Sequence, residues 1–249
     1  MSIKLVSVIM PAYNSESTIF NSIKSVLNQT HKNIELIITN DNSDDNTVSV
    51  IEKLLRIDNR IKLYSNSYCP GAANARNNSI RHASGDYIAF LDSDDQWFPT
   101  KLETQLKAME DSECLASHSS YYRVDEKRNK RTLVTSKHKV KHEDMLHYNH
   151  IGNLTGIYNC KELGKFYQKN IGHEDYEMWL SILNKTDSIG ILEPLASYNV
   201  SGDSLSSNKF KTALWHYNIL RNKCGLNRFN ASRYFFYYMN NAIKVRCNK

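Results

Sequence analysis

The sequence predicts an α/β fold: a mostly parallel central sheet flanked by helices, then a helical, basic and aromatic C-terminal extension. Two observations predict the sheet. Short β-branched runs alternate with helix-period stretches through the first hundred residues, and turn-forming or acidic residues stand where the runs end. A third observation separates the tail. From Ser204 to Lys249 there are nine Lys or Arg and no Asp or Glu, although the formal charge of the whole 249-residue chain is only +6.

Each element follows from its local pattern. LVSVIMPAY (5–13) is a β-branched run that Pro11 should end, and apolar Ile19, Ile23, Val26 and Leu27 then recur at helical period. IELIIT (34–39) is a second buried-strand run, followed by a helix over Thr47 to Arg56. IKLYS (61–65) is a third strand, Pro70-Gly71 a turn, and Ala72 to His82 a helix. DYIAFL (86–91) is a fourth strand. Beyond Pro99 the alternation weakens. A helix to about Met109, a strand over Leu115 to Tyr122 and a hairpin pairing 121–124 with 131–135 around EKRNK come first. Helices near 142–148 and 174–185 and a strand over 189–200 follow, and the tail from Phe210 is helical. We divide the chain into 1–205, with a nucleotide-binding half (1–98) and an acceptor half (99–205), and the extension 206–249.

Composition bounds the class. Hydrophobic residues make up 41% and charged residues 23%, as in soluble globular proteins. No run reaches the ~20 apolar residues of a membrane span, and the first apolar run is too short for a signal peptide. Five scattered cysteines without a CxxC pair argue against a disulfide framework or a zinc site. These features predict a cytoplasmic protein.

In an open parallel sheet, ligands bind beyond the carboxyl ends of the strands. Those ends carry PAYN (11–14), NDNSDD (40–45) and DSDD (92–95). Taken alone, Asp92-Ser93-Asp94-Asp95 reads as a turn with helix caps, since Asp favours both. At the end of a buried strand its hard oxygens suit Mg²⁺ or Mn²⁺, whose shell is completed by substrate phosphates and water. A nucleotide is the simplest such substrate. The loop after the first strand has no glycine for a dinucleotide, and no P-loop or nucleophile elbow exists. A metal-assisted diphosphate leaving group or a nucleotidyl transfer remains.

VSVIMPAYNSESTI, IITNDNSDDNT, GAANARNNSIRHASGDYIAFLDSDD and GHEDYEMWLSIL together resemble glycosyltransferase family 2, with its Rossmann-like GT-A fold, in the family's order and spacing over residues 5–205. The resemblance implies an inverting transfer of one sugar from a UDP-sugar to a glycan or undecaprenyl-diphosphate-linked acceptor, in bacterial surface-polysaccharide synthesis. It implies that Pro11, Ala12, Tyr13 and neighbouring Glu16 line the nucleotide and that Asp41 accepts from the uracil ring N–H. Arg76 and Asn77 would lie near the diphosphate or sugar. Asp92, with Ser93 beside it, and Asp94 would hold the ribose and a Mn²⁺ or Mg²⁺ ion, Asp94 the firmer ligand. Asp175 would be the general base. Glu174 orients the acceptor or caps its helix, and Trp179 is a weaker acceptor contact that also reads as core. Asp95 keeps its turn-or-cap alternative.

Two departures stand out. Asn40-Asp41-Asn42-Ser43 replaces the family's Asp-Asp-Gly-Ser, and Asn199 and Ser201 stand where Arg and His are usual. The second leaves this segment without the His that can approach the metal in the family, which puts more of the expected coordination on Asp94, water and phosphate. No Q-x-x-R-W follows the acid pair, so a single transfer fits better than a processive polymerase.

The tail admits a solvated helical subdomain or, with its interleaved aromatics, attachment to an anionic membrane surface on the cytoplasmic side. Nucleic acid is disfavoured, because no recognisable module accompanies the charge. The alternatives for the whole chain are a nucleotidyltransferase acting on a sugar phosphate and a non-catalytic sugar-nucleotide-binding relative.

Overall fold

The computed structural model describes residues 4–200 and 209–247. In chain order its elements begin β1 (Val6–Ala12), α1 (Ile19–Leu27), β2 (Ile34–Asn40), α2 (Thr47–Leu55), β3 (Ile61–Ser65), α3 (Ala72–His82) and β4 (Tyr87–Phe90). Next come β5 (Gln96–Trp97), α4 (Lys101–Ser112), β6 (Ala116–Asp125), β7 (Lys130–Val134), β8 (Lys139–Val140) and α5 (His142–His147). The chain continues with β9 (Ile157–Asn159), α6 (Cys160–Leu163), α7 (Glu174–Leu183), β10 (Ser188–Asn199), α8 (Lys209–Asn222) and α9 (Arg228–Cys247).

Among the described residues the strands form one sheet in the order β3-β2-β1-β4-β9-β6-β10-β5, with β7 added to β6 and β8 to β10. The first four strands are parallel, as their buried apolar runs predict. The parallel pattern then breaks. Three-residue β9, which sequence reading missed, runs antiparallel between β4 and β6, and β6 pairs β10 in parallel. Its IYN is too short to display a period. The expected 121–124 hairpin forms, with Tyr121 opposite Val134.

Both faces of the sheet are buried, and the period-2 alternation shows it. Val8, Met10, Leu36, Ile38 and Ala89 face one core with Ile19, Ile23 and Val26 of α1. Ile9, Ile37, Ile88 and Phe90 face the other, with Ile80 of α3 and Tyr176, Met178 and Trp179 of α7. Ile219 and Leu220 of α8 and Ala231 of α9 join this second core, so the tail packs against the sheet's own helices.

Pro11 does not end β1. It lies inside the strand, opposite Thr39. The Ile9 carbonyl accepts from Leu91, so alternate residues, Pro11 included, turn their amide toward β4. β4 has already stopped at Phe90, and no ladder bond is lost there.

Candidate active site

The ends of β1, β2 and β4 meet on one side of the sheet. Beyond β1, Tyr13 is 61% exposed, while Pro11 and Ala12 are buried beneath it. The β1–α1 and β2–α2 loops are laced together. The Asn14 amide donates to Ser43 Oγ at 3.1 Å, and the Asn46 amide donates to Glu16 Oε2 at 2.9 Å. Glu16 therefore braces the loops around Tyr13. The family's missing glycine has a substitute: Asn42 takes a left-handed φ of 61°, which Asn tolerates better than most residues. Asn40 replaces an acid but still closes the turn, with Oδ1 accepting from the Ser43 amide and hydroxyl.

Asp41 is buried at this end. Its Oδ1 accepts from Asn66 Nδ2 at 2.6 Å and its Oδ2 from the Gly71 amide at 2.7 Å. Each oxygen keeps a second lone pair for a ligand N–H. Gly71, at φ 132°, leads into α3 in a conformation that favours glycine. Sequence reading passed over Asn66 and Gly71 as parts of this site.

One turn along α3 lies Arg76, 9% exposed. Its Nη2 donates to Asp92 Oδ1 at 2.6 Å, its Nε to the same oxygen at 3.2 Å, and its Nη1 to Gln168 Oε1 at 3.2 Å. Burial opposes the charge, but Asp92, helped by Asp175 and Glu174, outweighs it and raises the guanidinium above its ordinary value. Asn77 is tied to the Gln168 backbone in both directions, its Nδ2 donating to the carbonyl and its Oδ1 accepting from the amide. That side chain anchors the loop before α7 and so supports Arg76 indirectly.

The carboxylates after β4 divide. Asp92 pairs with Arg76. Ser93 offers its carbonyl to Ser22 Oγ. Asp94 is partly buried, and burial, then the charge of Asp92, raises its carboxyl. Asp95 is 1% exposed, and burial, then Asp92 and Asp94, raise it much further. The Asn199 amide donates to Asp95 Oδ1 at 2.9 Å, so Asp95 pins the end of β10. This long-range bond is not the turn or helix cap expected of Asp95, since Thr100 caps α4 and the turn is closed by backbone alone, and the residue also lines the cavity below. Crowded acids with raised carboxyls are the environment that a divalent cation would relieve, and their oxygens suit Mg²⁺ or Mn²⁺. Among the described residues no group of three or more His, Cys, Asp or Glu side chains could hold a metal, so phosphates and water would have to complete its shell.

A cavity of about 410 Å³ opens beside this cluster, within the usual range for ligand sites. Ala72, Arg76, Asp92 and Asp95 line one side, Glu174 and Asp175 lie at the start of α7, and Tyr121, Arg123, Asn153 and Tyr198 line it too. α7 begins after two left-handed residues, Gly172 at φ 73° and His173 at φ 51°. Three acids fill its first turn, where the helix dipole favours them. Glu177 is withdrawn to Lys169, leaving Glu174 and Asp175 to the cavity.

Of its two readings, Trp179 takes the core one. It is fully buried, its ring lies against Gly156, and its Nε1 donates to Asn153 Oδ1 at 3.3 Å. Facing inward from α7, it can touch no acceptor and instead sets the position of Asn153. Tyr121, Arg123, Asn153 and Tyr198 went unread. The only signal was Tyr121 and Arg123 two apart on one strand face. Asn199 ends β10, and Ser201 lies outside the described residues.

The tail's aromatics also separate. His216 stacks between Tyr176 and Tyr238, and Tyr234 and Tyr237 meet His147. Phe229 and Phe236 stay outside, 78% and 66% exposed. Among the described residues no helix is long and apolar enough to cross a membrane.

The glycosyl transferase family 2 model matches residues 7–177, which run from β1 into the acidic first turn of α7. The chain is similar to the UDP-Glc:α-D-GlcNAc-diphosphoundecaprenol β-1,3-glucosyltransferases WfaP and WfgD of Escherichia coli. It is 36% identical to WfaP over 98% of this chain and 96% of that one, and 40% identical to WfgD over 87% and 85%. Its fold is similar to the crystal structure of S. aureus TarS, with a TM-score of 0.71, 18% identity, and coverage of 94% of this chain and 70% of that one. Strand-end acids facing an acidic helix start are therefore set in a GT-A scaffold, and the chain belongs to glycosyl transferase family 2.

Proposed function

We propose that this glycosyltransferase moves one sugar from a UDP-sugar to a hydroxyl of a lipid-diphosphate-linked glycan, with inversion, in bacterial surface-polysaccharide synthesis. One observation carries the reading: Arg76 and Asp92, reached from the strand ends, and Asp175, from α7, line the same cavity. Asp41 binds the uracil edge beyond it. The activity of WfaP and WfgD, which use UDP-Glc and a GlcNAc-diphosphoundecaprenol acceptor, supports the choice of donor and acceptor class.

In this reading Asp175 removes the acceptor proton while the hydroxyl oxygen attacks the anomeric carbon from the face opposite UDP. A single displacement inverts that carbon. Arg76, fixed by Asp92 and Gln168, stabilises the charge developing on the leaving diphosphate. Asp94 and Asp92 would hold Mg²⁺ or Mn²⁺, which when bound neutralises phosphate charge. Asp175→Asn should abolish transfer and leave UDP affinity within about twofold; undiminished turnover would remove Asp175 from the base role.

The same reading places the enzyme on the anionic inner membrane face through Phe229, Phe236 and the flanking Arg228 and Arg233 of α9. The double substitution Phe229→Ser/Phe236→Ser should release the protein from anionic vesicles at low salt in a pelleting assay. Wild-type protein that stays in the supernatant would end the idea.

A further inference from the structure

The cavity has a second cation. Arg123 lines it from β6, and it forms no ion pair among the described residues. Arg76, by contrast, is ion-paired with Asp92 and faces the donor diphosphate in the reading above. Four carboxylates also line the cavity: Asp92, Asp95, Glu174 and Asp175. An anionic substrate entering beside them needs a compensating charge at its own end.

The surroundings of Arg123 have sugar-binding character. Its guanidinium stands 5.9 Å from the centre of the Tyr198 ring, and Tyr198 meets Tyr121 edge-on at 6.4 Å. Burial pushes the Tyr121 phenol up to about 12, so it remains a neutral hydroxyl. Asn153 Nδ2 is buried and has no hydrogen-bond partner, while its Oδ1 is held by Trp179. A buried amide donor left unpaired is costly, and a ligand oxygen would satisfy it. Farther along the hairpin the same face carries both signs. Tyr121, Arg123 and Asp125 alternate onto one face, and Lys130, opposite Asp125, shares it. Lys127 lies at the hairpin tip.

We propose that Arg123, Asn153, Tyr121 and Tyr198 form the acceptor subsite, in which Arg123 binds the phosphate attached to the acceptor sugar. This rests on the glycosyl-transfer reading above. The sugar lies against the two tyrosines, its hydroxyl toward Asp175 and an oxygen on Asn153 Nδ2. The ligand class is a glycosyl phosphate or diphosphate, recognised by its anion next to the sugar and not by its lipid. Arg123 is a specificity residue and takes no part in proton transfer.

The test compares two acceptors: an alkyl GlcNAc-diphosphate and the neutral alkyl GlcNAc glycoside with the same chain. Arg123→Gln should raise KM for the diphosphate roughly 10- to 100-fold, the range of one lost charge-assisted hydrogen bond. It should leave KM for the glycoside within twofold, and Arg123→Lys should restore part of the loss. UDP affinity, measured on each variant, should not move and also reports folding. Equal losses on both acceptors, or a weakened UDP complex, would overturn the assignment and place Arg123 elsewhere. Direct binding of the alkyl GlcNAc-diphosphate to wild type and Arg123→Gln decides the matter without turnover. Equal affinities refute the subsite even if no UDP-sugar proves to be a donor, an outcome that would separately refute the glycosyl-transfer reading.

Discussion

Gly172→Ala tests the link between the tail and the acidic turn of α7. Gly172 sits at φ 73°, and a Cβ there would stand 2.2 Å from Trp215 Cδ2 and 2.4 Å from Cε2. Two costs add. An L-residue in left-handed backbone loses about 1–2 kcal/mol. Overpacking against a ring adds about 1–3 kcal/mol, because a rigid indole must shift bodily. The sum, about 2–5 kcal/mol, lowers Tm by about 4–20 °C in a domain of this size. The displaced ring also contacts His173, edge-on at 5.8 Å, so the turn that launches Glu174 and Asp175 should move. We expect kcat to fall while UDP affinity holds, since Asp41 and Asn66 lie on other loops. Calorimetry and steady-state kinetics measure both. Adding Trp215→Ala should recover the steric part of the loss and leave the backbone part. A Tm within 2 °C of wild type for Gly172→Ala would refute the packing argument.

Two further outcomes follow from the same geometry. Gly156→Ala at an ordinary φ of −80° isolates pure steric cost, with its Cβ 2.0 Å from Trp179 Cζ2. It should lose about 1–3 kcal/mol in chemical denaturation, and Trp179→Phe should relieve part of it. His118 is fully buried, and burial lowers its imidazole to about 4. The unfolded chain binds that proton near pH 6.5 and the folded chain does not, so stability is complete above 6.5 and lost as pH falls toward 4. The loss at pH 5 is about 2 kcal/mol, and Tm measured from pH 7 to 5 should fall less steeply in His118→Gln.

What the sequence disclosed depended on how local each feature is. β1, β2 and β4 were legible because fully buried strands are continuous apolar runs, and the ends of β2 and β4 located Asp41 and Asp92 without any knowledge of contacts. The start of α7 was legible from its acids. The opposite wall was not. Arg123 and Tyr198 come together only because β6 pairs β10, with Tyr198 opposite Arg123, and nothing local to either announces that pairing. Asn153 owes its place to a Trp179 bond formed across 26 residues. Trp179 resolves to the core half of its two readings, since Met178 and Ile182 share its side of the helix and pack with it. Four residues on from Asp175, it faces the sheet, where a large apolar ring is most stabilising.

The crowding of acids at 92–95 is best understood as three different solutions to the same repulsion. Asp92 is neutralised by a guanidinium that is buried and cannot leave. Asp95 is nearly removed from water and accepts a backbone N–H from β10, so its raised carboxyl tolerates the neighbouring charge. Asp94 has only weaker help: no ion pair holds it among the described residues, and burial and Asp92 outweigh its own backbone hydrogen bond and the more distant charge of Arg76. A site that needed only a turn would not keep all three, because Ser or Asn caps as well without the repulsion. The arrangement makes sense if Asp94 is kept ionised by something that arrives with the substrate. On this argument Asp94→Asn should lose activity far beyond any loss of stability, whereas Asp95→Asn should lose stability first, through the end of β10.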